Sequence, residues 1–147
     1  MNWSPHVTVA AIIEDNGKFL MVEENIRGKI IYNQPAGHLD DQESIIDAVI
    51  REAREETAWE VIPQHLCNVQ LWRNNENEQS FLRFSFICKA INHYPHEDLD
   101  TGILRALWLS RDEISQLTLR SPLVLDSIDH YLAGHKQSLE AVRYVKS

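Results

Sequence analysis

Glu52, Glu55 and Glu56 fall in one short run, Arg51-Glu52-Ala53-Arg54-Glu55-Glu56. On a helix, side chains three and four positions apart are neighbours, so these three carboxylates share one arc of about 100°. Each like-charge pair costs about 0.2–0.5 kcal/mol. A helix C-terminus, whose dipole disfavours anions, makes the crowding worse. A divalent cation would relieve both conflicts. Mg²⁺ takes oxygen ligands and commonly keeps positions open for water or substrate phosphates, so carboxylates at this spacing can bind metal while the metal binds a diphosphate. A solvated acidic helix face is the alternative that spacing alone leaves open. Glu43, Asp47, Arg51 and Glu55 recur every four residues, so Arg51 can meet carboxylates on both sides. It reads as a brace for Glu55 rather than a substrate contact, or else as part of a surface ion-pair ladder.

These residues need a rigid helix. Ile45, Ile46, Val49, Ile50 and Ala53 recur at helical spacing and predict one from about Glu43 to Thr57. Asp40 is its expected N-cap, with Glu43 completing a capping box, and Pro63 limits its extension. Upstream, the apolar run Val7 to Ile13 predicts a buried strand. Asn16-Gly17 then turns the chain into a returning strand at Phe19 to Val22, and Ile30 to Tyr32 is a further short strand. Downstream, Val69 to Trp72 and Phe81 to Cys88 are strands joined by the polar tract Arg73 to Gln79. Pro95 to Gly102 is a loop, and Ala106 to Leu109 a last short strand. Ser110 with Glu113 caps a short helix ending near Leu117, and Pro122 opens a final helix closed by Gly134. Strands, a helix, strands and two helices make an α/β chain in which helices cover a sheet.

The 147 residues suit one domain, 1–147, with enough apolar material for a core. Asp and Glu number 22 against 14 Lys and Arg, a net charge of -8 that disfavours nucleic-acid or anionic-membrane partners. Val7 to Ile13 is too short to span a bilayer and lacks a basic leader. Two separated cysteines, Cys67 and Cys88, form no disulfide scaffold and no paired zinc site, so a reducing, cytoplasmic setting is expected. The oligomeric state stays open, with a monomer as the working expectation.

Gly37, five intervening residues, Glu43, seven more, then Arg51-Glu52-Ala53-Arg54-Glu55-Glu56 resemble the signature of the Nudix hydrolases. Asn33 to Leu39, Pro5 to Ala10, Phe81 to Phe84 and Leu119 to Leu123 further resemble a bacterial subgroup of that family, Nudix phosphatase J. The resemblance implies an α/β/α sandwich with a mixed β-sheet, Mg²⁺ (Mn²⁺ as the alternative) and small phosphorylated substrates. It makes Glu52, Glu55 and Glu56 metal-binding carboxylates, gives Gly37 a carbonyl ligand role, and assigns Glu43 and Arg51 to stabilising the site. Glu55 or Glu56 could instead accept the proton from water, and Glu97, Asp98 and Asp100 are candidates for a base or ligand supplied by a later loop.

The subgroup implies removal of terminal phosphate from nucleoside tri- and diphosphates and from thiamine pyrophosphate or hydroxymethylpyrimidine pyrophosphate. The wider family reaction, releasing nucleoside monophosphate and pyrophosphate, is the runner-up, and a non-catalytic ligand-binding module is a third reading. Around the pocket, His6, Glu24, Trp72 and Arg83 are candidate substrate contacts, with Glu23 flanking them; structural roles for each remain open. One departure stands out: Ala58-Trp59 replaces the usual glycine and aliphatic residue. If position 58 is left-handed, alanine costs roughly 1–2 kcal/mol there.

Overall fold

A computed structural model of the chain describes residues 2–147. The strands are β1 (His6–Asp15), β2 (Lys18–Ile26), β3 (Lys29–Asn33), β4 (Ala36–His38), β5 (Trp59–Asn74), β6 (Gln79–His93) and β7 (Ile103–Ser110). The helices are α1 (Ile45–Thr57), α2 (Arg111–Ser115) and α3 (Leu123–Leu132), followed by a short 3₁₀ turn at Leu139–Ala141.

The sheet runs β3-β2-β1-β6-β5, with β4 added beside β1 and β7 beside β2. β1 pairs in parallel with β6 and antiparallel with β2 and β4, so the sheet is mixed. The Asn16-Gly17 turn has positive φ at both residues (51° and 80°), the requirement of a tight two-residue hairpin.

Alternation along β1 explains the layering. Val9, Ala11 and Ile13 join Ala48, Val49 and Ala53 of α1 in one core, while Ile12 joins Val124 and Ile128 of α3 in a second. Leu20 faces the first core, and Phe19 and Met21 face the second. Period-two side chains thus feed helices on opposite faces. That is why β1 is a continuous apolar run rather than an alternating one. The result is the expected α/β/α sandwich.

Two local expectations change, and one point left open is decided. First, α1 starts at Ile45 with Ser44 as N-cap, its hydroxyl accepting from the Asp47 N–H at 3.0 Å. Asp40 is not the cap. Its carboxylate lies 3.4 Å from Arg51, and its backbone carbonyl, not its side chain, accepts from the Glu43 N–H. Second, the strand expected at Val69 already begins at Trp59 and runs through Pro63. This is the sheet edge, and the register shifts at Pro63/His65, a bulge that tolerates the missing N–H. Third, Ala58 is left-handed (φ 60°) and its N–H closes α1 by donating to the Arg54 carbonyl. The left-handed case, in which alanine carries strain, is the one realised, and it turns the chain directly from α1 into β5.

Candidate active site

α1 lies against β4 so that its acidic arc meets the strand's glycine. A Cβ at position 37 would overlap the Glu52 carboxylate, so only glycine allows this approach. Glu52 and Glu56 are both buried, 9% exposed each. Glu56 Oε1 accepts from the Ala36 N–H at 2.8 Å, tying the helix to β4. The loop after β6 folds back, and the Asp100 N–H donates to the Glu55 carbonyl at 3.0 Å. That contact brings the Asp100 carboxylate to Glu52 and Glu56, with ligand oxygens of all three within 4.8 Å of one another.

Burial pushes the Glu56 carboxyl up to about 8, with Glu52, Glu24 and Asp100 adding repulsion against the Ala36 hydrogen bond. Glu52 is also raised by burial, partly offset by Arg51, and Asp100 is raised by burial and then by Glu55. These three groups are hard oxygen donors, with Arg51 paired to Glu52, at a separation a single ion spans. They fit a divalent cation.

Arg51 is the hub of the acidic helix. It donates through Nε to Glu43 (2.7 Å) and through Nη1 to Glu52 and Glu55 (2.8 Å each). Its Nη2 reaches the His38 carbonyl at 3.1 Å. The guanidinium holds Glu43 below the usual carboxylate range. Glu55 shares the Arg51 Nη1 with Glu52, while the carboxylate oxygens that lie within reach of one another belong to Glu52, Glu56 and Asp100.

A cleft of about 470 Å³ opens from Gly37, Glu52 and Glu56. Its other wall carries Trp72 and Phe81, whose rings stack with centroids 5.7 Å apart. His6 stacks behind Phe81 at 5.0 Å and contacts His38 at 3.2 Å, so it supports the wall while His38 faces the cleft. Burial, and then His6, lower the His38 imidazole. Glu24 lines the rim and pairs with Arg120 at 3.3 Å. Arg83 lies on the floor, and burial pulls its guanidinium down to about 10.

Other candidates are placed apart from the cluster. Glu23 accepts from the Tyr32 hydroxyl and from Arg105. Glu97 forms a two-pronged pair with Arg54, 2.7 Å on each arm, and Asp98 is exposed on the same loop. Sequence reasoning did not single out Asn74, Asn77 and Gln79, which line the cleft from the tip of the β5–β6 hairpin. Their signal is an amide-rich polar tract, which reads equally well as a plain turn. Gln34 was missed too, although a glutamine only 1% exposed beside Pro35 serves no solvating purpose.

The comparisons with known proteins agree with this geometry. A family model described as the NUDIX domain matches residues 4–129. The chain belongs to the Nudix family. Phosphatase NudJ of Escherichia coli strain K12 is 42% identical over 141 residues, covering 95% of this chain and 92% of the relative. A Nudix hydrolase structure from Nitrosomonas europaea is 44% identical, with a TM-score of 0.94 over 97% of this chain and 98% of that one. A MutT Nudix hydrolase structure from Burkholderia pseudomallei, 19% identical over 87% of this chain and 98% of its own, has a TM-score of 0.75 and shares the fold. The protein is thus a Nudix hydrolase, of a family that generally uses divalent metal ions, and its acidic cluster is compatible with one.

Proposed function

We propose that this Nudix hydrolase is a Mg²⁺-dependent phosphatase, with Mn²⁺ as the alternative ion. Its substrates would be nucleoside tri- and diphosphates, thiamine pyrophosphate and hydroxymethylpyrimidine pyrophosphate, from which it removes the terminal phosphate. One observation carries this reading: Glu52 and Glu56, whose carboxylates have Asp100 beside them, line the same cleft as the stacked Trp72 and Phe81 rings. The name of the 42% identical relative, a phosphatase, supports the same reaction. The net charge of -8 supports small phosphorylated molecules over nucleic acid, and a monomer in the cytoplasm is part of the proposal.

Glu52, Glu56 and Asp100 would hold the ion, with the Gly37 carbonyl as a further ligand. The bound ion would supply charge neutralisation for the phosphate oxygens and a lowered pKa for water. Arg51 keeps Glu52 aimed by a charge-assisted hydrogen bond, and its grip on Glu43 fixes its own position. Glu55 is the most open of the three helix carboxylates, its side chain 36% exposed, and would accept the proton from the attacking water. Trp72 and Phe81 would stack on the substrate's heterocycle.

The deciding assay follows phosphate and pyrophosphate separately from GTP and thiamine pyrophosphate with Mg²⁺ present. Phosphate as the first product is the expected result. Pyrophosphate as the sole early product from GTP would replace the phosphatase reading with the pyrophosphohydrolase one. Tight binding without turnover under Mg²⁺ and Mn²⁺ would make the protein a ligand-binding module.

A further inference from the structure

The floor of the cleft holds a cation without an anion. Arg83 is 4% exposed, in the middle of β6, yet it lines the same cleft as Glu52 and Glu56. Its guanidinium makes one hydrogen bond, from Nη2 to Gln34 Oε1 at 2.7 Å, and that acceptor is a neutral amide. Its Nε is buried with no partner at all. Among the described residues, Glu56 is the carboxylate whose charge reaches Arg83, but through space and without an ion pair. A buried guanidinium is costly unless an anion answers it, and its planar fork matches the oxygens of a phosphate.

Gln34 supplies direction rather than charge. Its Nε2 donates to Ser127 Oγ at 2.9 Å, and Ser127 Oγ donates to the Val124 carbonyl at 3.0 Å within α3. Gln34 and Ser127 are 1% and 0% exposed, so a buried chain of side chains from α3 fixes the guanidinium. The second core layer therefore aims a cation into a cleft whose other charges are mostly negative.

We propose that Arg83 grips a phosphoryl group of the substrate directly, as an anion anchor separate from the acidic cluster, with Gln34 and Ser127 as its positioning residues. This rests on the phosphohydrolase reading and adds a two-point requirement to it. One phosphoryl group is held at Glu52, Glu56 and Asp100, and a second at Arg83. The site thereby selects diphosphates over monophosphates.

The test uses the full chain with Mg²⁺ and the non-hydrolysable probe methylenediphosphonate. Calorimetry measures affinity, ¹⁵N spectra follow the Arg83 Nε–H, and thermal melts report folding. In the wild type the Arg83 Nε resonance should move on saturation. R83M should lose about 10- to 100-fold in affinity, the loss of a hydrogen bond to a charged group, with Tm unchanged or raised because an unanswered charge is gone. Q34E hands Arg83 a carboxylate from within the chain and should weaken the probe at least about tenfold by competition. Methylphosphonate, with one phosphoryl group, should bind wild type and R83M equally weakly. Affinity of R83M within twofold of wild type would overturn the proposal, as would a stationary Arg83 Nε resonance at saturation, which needs no variant to fold. If the wild type releases no phosphate from any substrate, the hydrolase reading falls while the binding measurements still decide the role of Arg83.

Discussion

Glu56→Gln should flatten the pH dependence of stability in the metal-free protein. The Glu56 carboxyl moves from an ordinary 4.5 to about 8, chiefly because it is buried. The folded form therefore holds this proton more tightly than the unfolded chain. Its stabilising contribution is complete below pH 4.5, declines above that, and is gone once pH passes 8. At about 1.4 kcal/mol per tenfold change in proton affinity, the loss is on the order of 5 kcal/mol. Glutamine keeps the size of the side chain and an oxygen for the Ala36 N–H, 2.8 Å away, while removing the charge. Urea unfolding of chelator-treated wild type and E56Q from pH 5 to pH 9 measures the effect. The curves should coincide at the acidic end and diverge toward the alkaline end, where E56Q is the more stable protein. Adding Mg²⁺ at the alkaline end should restore the wild type and leave E56Q almost unchanged. Parallel pH profiles for the two proteins would refute the reasoning, because the buried carboxylate would then carry no cost for the ion to relieve.

Gly37→Ala should cut phosphate release by about 100-fold, since displacing the Glu52 carboxylate by an ångström or so spoils its aim. Its Tm should move little, because Gly37 does not occupy the left-handed region and the overlapping atoms end a flexible side chain. Glu55→Gln should lower kcat while Mg²⁺ affinity, read by calorimetry, stays near wild type; an equal loss of Mg²⁺ affinity would make Glu55 a ligand instead. Ala58→Gly should raise stability by up to about 1 kcal/mol in urea unfolding, the relief of left-handed strain less the lost burial of the methyl group. Trp72→Ala should raise KM for thiamine pyrophosphate about tenfold and leave KM for inorganic tripolyphosphate unchanged, as expected if the ring stacks on the heterocycle.

The helix carrying Glu52, Glu55 and Glu56, the Asn16-Gly17 hairpin, the Ser110–Glu113 capping box and the mixed α/β class were all legible in the chain, because each depends on spacing within a few residues. The family signature extended that legibility to Gly37, whose missing side chain makes room for a carboxylate one helix away. Asp40 misled because a capping box and an isolated turn share the same residue types, and Ser44 stood closer to the helix. Which carboxylate joins Glu52 and Glu56 could not be read from periodicity. It depends on the loop after β6 returning to the Glu55 carbonyl, which draws Asp100 inward, while Glu97 on the same loop is held by Arg54. Arg83 showed in the sequence only as one charge on an aromatic strand. Its want of an ion pair among the described residues, and its link through Gln34 to Ser127, exist only once β6, the segment before β4 and α3 are packed together. Local geometry repeats with the backbone period and so is written in residue spacing. Charge balance at a buried point is the sum over every element that reaches it, and only the folded chain performs that sum.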